Sequence, residues 1–153
     1  MTASALLSRE HWLEVVERAP LVSIDLVCRD PAGQVLLGLR RNEPARGCWF
    51  TPGGAVRKNE RLDDAFARIA RTELGITLRR EQARLLGVFE HFYAENFAGA
   101  ADVDTHYVVL AHEITIRSPL QPDSQHEALR WMDPRDLVAA PDVHRYVKQY
   151  FAP

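Results

Sequence analysis

Pro52-Gly53-Gly54-Ala55-Val56-Arg57-Lys58-Asn59-Glu60-Arg61, running into Leu62-Asp63-Asp64-Ala65-Phe66-Ala67-Arg68-Ile69-Ala70-Arg71-Thr72-Glu73-Leu74-Gly75-Ile76, decides the fold. A glycine turn leads through a charged stretch into a segment whose apolar residues Leu62, Ala65, Phe66 and Ile69 recur at helical spacing. The pattern predicts a helix near Leu62 to Leu74, ended by Gly75 in the usual position just past a helix. Glu73 follows Ile69 by four residues and so continues the apolar stripe, where a carboxylate is costly without a cation. Asp64 and Arg68 also fit an ordinary i, i+4 surface pair, and Glu60 fits a surface role as well as a site role.

Working outward, Ser8 is suited to cap a first helix carrying Trp12, Val15 and Val16, with Pro20 closing it. Leu21 to Cys28 is β-rich, and the turn Asp30-Pro31-Ala32-Gly33 leads to Val35 to Leu39, which reads as a hairpin. Pro44 to Gly54 reads as a loop, a short aromatic strand and a tight turn. Further strands are expected at Leu85 to Tyr93, His106 to Ile116 and Leu129 to Met132. Asp133-Pro134 then opens a short helix, and a closing helix is expected from Asp142 to Phe151. The expected fold class is α/β (α+β), a mixed sheet sandwiched between helices in a single domain spanning residues 1–153.

The chain has 153 residues, 46% hydrophobic and 26% charged, with a formal net charge of -2. That balance describes a globular domain with its own core and gives no polybasic surface, so no nucleic-acid partner is expected. No apolar run approaches a membrane span, and the opening residues lack the form of a signal peptide. Cys28 and Cys48 stand in no ligand-like spacing and read as small hydrophobes in a reducing compartment. The expected location is cytoplasmic, with no membrane partner.

The deciding stretch resembles the Nudix box, G-x5-E-x7-R-E-U-x-E-E-x-G-U with U aliphatic. Gly54, Glu60, Arg68, Glu73, Gly75 and Ile76 match, while Ile69 and Thr72 stand where the pattern has glutamates. Positions 69, 72 and 73 share one helix face. Three carboxylates there would gather several hard cations, whereas Glu73 alone supports one Mg²⁺ or Mn²⁺ per subunit. More specifically the chain resembles the GDP-mannose mannosyl hydrolases, a Nudix branch with a shortened acidic set. The resemblance runs through Pro44-Ala45-x-Gly47-x-Trp49-Phe50-x-Pro52-Gly53-Gly54, His91-Phe92-Tyr93-x-x-Asn96-Phe97, Thr105 to Leu110 and Pro122-Asp123-x-Gln125-His126.

That resemblance implies hydrolysis of a GDP-sugar to GDP and free sugar, by water attack at the anomeric carbon, in a homodimer. It implies Glu73, Gln125 and a backbone carbonyl of Gly53 or Gly54 as metal ligands, and His126 as general base. Arg40 would contact the diphosphate, Arg68 would match the box arginine on the substrate side, and Asp25, His91 and Tyr107 would line the site. One departure is Ala55, where the branch has an arginine; Arg57 lies two residues on.

The chemistry is coherent. A diphosphate neutralised by one cation and Arg40 leaves without a general acid, and an imidazole of ordinary pKa near 6.5 suits the base. Other readings stay open for single residues: His126 as a surface histidine, His91 and Tyr107 as hydrogen-bonded core residues, Arg40 and Arg41 as a solvated pair. Two other functions also stay open. One is a Nudix pyrophosphohydrolase that cuts the diphosphate of a nucleotide sugar or nucleoside triphosphate. The other is a nucleotide-sugar-binding module without catalysis.

Overall fold

The computed structural model describes residues 6–120 and 126–152, the side chains at 126 and 127 excepted. Its elements in chain order are α1 (Arg9–Arg18), β1 (Leu21–Arg29), β2 (Val35–Arg40), β3 (Trp49–Phe50), β4 (Gly53–Ala55), α2 (Leu62–Leu74), a 3-10 turn (Arg80–Gln82), β5 (Arg84–Tyr93), β6 (Thr105–Thr115), β7 (His126–Met132), α3 (Pro134–Ala139) and α4 (Arg145–Lys148). The strands form one mixed sheet in the order β3-β2-β1-β6-β5, with β4 added to β1 and β7 to β2.

β1 is the centre. It runs parallel to β6 over nine residue pairs, antiparallel to β2, and antiparallel to β4 at Ser23–Ala55, Ile24–Gly54 and Asp25–Gly53. A strand covered on both faces should be apolar throughout, and residues 23–28 are all buried. Alternation then feeds two cores. Ile24, Leu26 and Cys28 pack with Phe66, Ile69, Ala70 and Leu74 of α2. Val27 packs with Val35, Leu37, Phe50, Leu137, Val143 and Val147 on the opposite face. Full burial of each large side chain contributes roughly 1.5–3 kcal/mol, so both faces hold the sheet.

Most elements lie where periodicity predicts them. Ser8 caps α1, its Oγ accepting from the His11 backbone N–H at 3.3 Å. Gly75 closes α2 at φ 69°, the left-handed geometry that favours glycine.

Two expectations need correction. The closing helix from Asp142 to Phe151 is reduced to α4, a single turn. His144 starts it, its Nδ1 accepting from the Tyr146 N–H at 3.2 Å. Upstream, Val143 bridges to Trp49 instead of continuing a helix. From within that turn and just after it, Tyr146, Gln149 and Tyr150 reach β1 and β5. The second correction concerns the strand expected at Leu129 to Met132, which begins three residues earlier, at His126. The His126 backbone is paired with Arg40 of β2.

Candidate active site

Asp25 is the natural starting point, because a carboxylate in the middle of an apolar strand requires donors. It is 6% exposed. Its Oδ2 accepts from the Tyr150 hydroxyl at 2.6 Å and the Thr51 hydroxyl at 3.2 Å. Burial pushes its pKa up to about 6, against the downward pull of those two hydrogen bonds and of the Arg40 charge.

The sign of the linkage follows. The native state holds this proton more tightly than the unfolded chain, so its contribution to stability is full below pH 4 and is lost as pH rises through 6. Asp25→Asn in metal-free protein is therefore expected to exceed the wild type in stability by about 2–3 kcal/mol above pH 6. The gap should close towards pH 4, while activity falls. Denaturant titrations across that range measure it, and a gap independent of pH would contradict the assignment.

Around Asp25 lies a shell of rings. His91 on β5 has its Nε2 3.0 Å from the Gln149 amide nitrogen and 3.2 Å from the Tyr150 hydroxyl. Its ring stacks on Tyr146 at 4.2 Å. The Tyr146 hydroxyl in turn accepts from the Phe92 N–H and donates to the Phe92 carbonyl, satisfying backbone groups on the outer strand. Burial, then the neighbouring His144, lowers the His91 pKa to about 4. His144 is lowered to about 4 as well, by burial and then by Arg145 and Arg40. Both imidazoles are neutral at pH 7. The Nδ1 of His144 is an acceptor for Tyr146 N–H, so its proton sits on Nε2.

Arg40 stands at the edge of this shell. The β2–β7 register shifts between Gly38 and Arg40, and such a shift changes which face the following side chain takes. The Arg40 guanidinium lies 5.8 Å from the Phe50 ring centre, and its Nε donates to the Pro44 carbonyl at 2.8 Å. Tyr107 sits opposite His91 in the β5–β6 ladder, edge-on to Tyr93. Burial raises its pKa, partly offset by Arg40. An open groove lined by Phe92, Tyr93, Asp102 and Asp104 adjoins this end of the sheet.

The glycine turn joins the shell to α2. A Cβ on Gly53 would lie 2.6 Å from Asp25 Oδ1 and 2.8 Å from the Ile24 carbonyl oxygen, and one on Gly54 would lie 3.1 Å from Ile69 Cγ1. Gly53→Ala is expected to cost roughly 1–3 kcal/mol, since two fixed atoms block it. Gly54→Ala meets only the Ile69 side chain, at 3.1 Å, and should cost less. Thermal denaturation of the pair gives the ranking, and equal losses would count against this packing.

Ile69, standing where the box has a glutamate, is thus sealed beneath Gly54 and 1% exposed. Glu73, one turn along the same face, is 4% exposed, while Thr72 is exposed. Among the described residues no group of three His, Cys, Asp or Glu is arranged for a metal. On this face of α2, Glu73 is thus the one carboxylate among positions 69, 72 and 73, a hard oxygen donor of the kind a divalent cation takes.

Glu60 and Arg68 tie the loop to α2. The Glu60 side chain is 5% exposed and takes Arg68 Nε at 2.7 Å, Arg68 Nη2 at 2.9 Å and the Arg57 N–H at 2.9 Å. The Arg68 hydrogen bond holds its pKa below the usual range. Arg68 Nη2 also donates to the Ala55 carbonyl. Arg68 thus pairs with Glu60 and not with Asp64, and a substrate contact would fall to its remaining Nη1.

A model of the NUDIX domain matches residues 19–152. The chain belongs to the Nudix family. Nudix hydrolases work with a divalent metal such as Mg²⁺ on nucleotide-derived substrates. Among similar proteins, the low-salt glycan biosynthesis protein Agl8 of Haloferax volcanii is 45% identical over 139 residues, covering 90% of this chain and 86% of Agl8. The ADP-ribose pyrophosphatase of Methanocaldococcus jannaschii is 33% identical over 70 residues, 46% of this chain and 40% of that protein. The crystal structure of the MutT NUDIX hydrolase from Burkholderia pseudomallei superposes with a TM-score of 0.69 at 28% identity, covering 87% of this chain and 96% of that one.

Within this Nudix domain, then, Asp25, Arg40, His91, Tyr107, Gly53 and Gly54 meet at one end of the sheet, and Glu73 lies on α2 one turn beyond Ile69, the residue packed beneath Gly54. Gln125 lies outside the described residues, and of His126 only the backbone is placed, beside Arg40. Sequence reasoning missed Thr51, Tyr93, His144, Tyr146, Gln149 and Tyr150. The density of polar aromatics between 144 and 150 was the available signal.

Proposed function

We propose that the chain hydrolyses a GDP-hexose, GDP-mannose, to GDP and free sugar. The observation that carries this reading is the sealed Ile69, which leaves Glu73 as the one carboxylate among the three box positions on that face of α2. Attack at phosphorus makes the heavier demand on clustered cations; displacement at carbon needs chiefly a neutralised leaving group. The similarity to Agl8, a glycan biosynthesis protein, supports a sugar-bearing substrate.

Glu73, Gln125 and a carbonyl of Gly53 or Gly54 would hold one Mg²⁺ or Mn²⁺. When bound, that cation supplies charge neutralisation to the diphosphate. Arg40 adds a fixed positive charge beside it. His126 takes a proton from water, and the water oxygen bonds to the anomeric carbon. The bond from that carbon to the diphosphate oxygen breaks, its electron pair leaves with GDP, and the configuration inverts. His91 and His144, with pKa values near 4, are weak bases at neutral pH, which supports placing the base on His126. Asp25 and Tyr107 bind and orient the substrate.

Hydrolysis in ¹⁸O-water tests the reading: label is expected in the sugar, with GDP unlabelled. Label in GMP or in the sugar phosphate would establish the second reading, a pyrophosphohydrolase, which family membership and the M. jannaschii relative favour. The match to Nudix hydrolases over nearly the whole chain speaks against a binding-only module. A homodimer belongs to the same proposal, supported by Leu85, Val88 and Phe92, each more than half exposed along β5. Sedimentation should return the mass of two chains; the mass of one would remove it.

A further inference from the structure

Asp25 presents two oxygens in different circumstances. Oδ2 takes both side-chain hydroxyls, Tyr150 at 2.6 Å and Thr51 at 3.2 Å. Oδ1 faces the glycine turn so closely that a Cβ on Gly53 would lie 2.6 Å from it. Two donors converging on one oxygen fix the rotation of the carboxylate and keep Oδ1 turned to the glycine turn.

Tyr150 is itself held. Its hydroxyl lies 3.2 Å from His91 Nε2, its ring packs edge-on to Phe89 at 4.8 Å, and its neighbour Gln149 meets the same imidazole nitrogen. Tyr146 stacks on His91 while bonding both backbone groups of Phe92. The segment after His144 is therefore clasped to β5 at three side chains and reaches across to β1 through one hydroxyl.

We propose that Tyr150 is a positioning residue of the active site: with Thr51 it holds Oδ2 of Asp25, so that Oδ1 is presented to the Gly53–Gly54 turn where the diphosphate is handled. The role of Asp25 rests on the hydrolytic reading above, and the test is built to separate the two.

Tyr150→Phe removes the hydroxyl and keeps the ring. It is expected to lower kcat about 10–100-fold, the worth of a hydrogen bond to a charged group, with KM changed less than about twofold. Asp25→Asn lowers kcat by itself, and adding Tyr150→Phe to it should lower kcat no further, because the hydroxyl acts through the carboxylate. Losses that multiply in the double variant would overturn the proposal. Thr51→Val removes the second donor without changing shape and should show a smaller, equally non-additive loss, so the cycle can be run even if Tyr150→Phe folds poorly. In metal-free protein, the ¹³C resonance of the Asp25 carboxyl carbon should move in either variant, and an unmoved resonance would also overturn it. If the product is GMP, the proposed reaction fails while the cycle, followed on GMP release, still decides about Tyr150. If there is no turnover, the resonance decides alone.

Discussion

Glu73→Gln is expected to reduce kcat by roughly 10²–10³-fold, the range found when a preorganised electrostatic partner of a transition state is removed. The substitution is nearly isosteric in a site only 4% exposed, so packing against the α2 core is kept while one negative charge is lost. In a Nudix domain with three box carboxylates the remaining two would retain a cation. Here Ile69 packs under Gly54 and Thr72 faces solvent, so no other carboxylate on that face can substitute. Calorimetric titration with Mg²⁺ should show affinity collapsing in the variant, and raising Mg²⁺ should restore only part of the rate. Unchanged Mg²⁺ affinity would mean the cation is held elsewhere.

The second large effect concerns the base. His126→Ala is expected to lower kcat by roughly 10²–10⁴-fold, the usual contribution of a positioned general base, with GDP affinity nearly unchanged. A base works deprotonated, so wild-type kcat should fall as pH drops below about 6.5, the ordinary imidazole value. The alanine variant should lose that limb of the profile. Of the neighbouring groups, His91 and His144 are already neutral down to about pH 4 and add no limb near 6.5, whereas Asp25, pushed up to about 6, adds one that persists in the alanine variant, so the difference between the two profiles is what reports on His126. A full rate in the variant, or a wild-type profile flat from pH 5 to 9, would remove His126 from the mechanism.

Much of this architecture can be read from local pattern. The bounds of α2 follow from helical spacing and a terminal glycine, both properties of neighbouring residues. Asp25 announces itself as a carboxylate inside a β-rich run, but sequence cannot say which donors answer it. One of them, Tyr150, is 125 residues away. The Glu60–Arg68 pair is hidden for a related reason: it links a loop to a helix across eight positions, where no periodic rule connects them, while Asp64–Arg68 satisfies the i, i+4 rule and does not form. The closing helix fails because propensity cannot weigh His144 capping and the pull of three side chains towards β5. Ile69 shows the opposite case. A departure from the box reads as a loss in sequence, and in space it is a packed contact.

Tyr150 also bears on how the molecule comes into being. A chain leaving the ribosome emits Asp25 early, and the hydroxyl that completes its solvation only after another 125 residues have been added. Until then the central strand carries a carboxylate that cannot enter an apolar interior without protonation or water beside it. Burial of Asp25 as an ion thus depends on a contact made far along the chain, which ties the centre of the sheet to the segment around Tyr150.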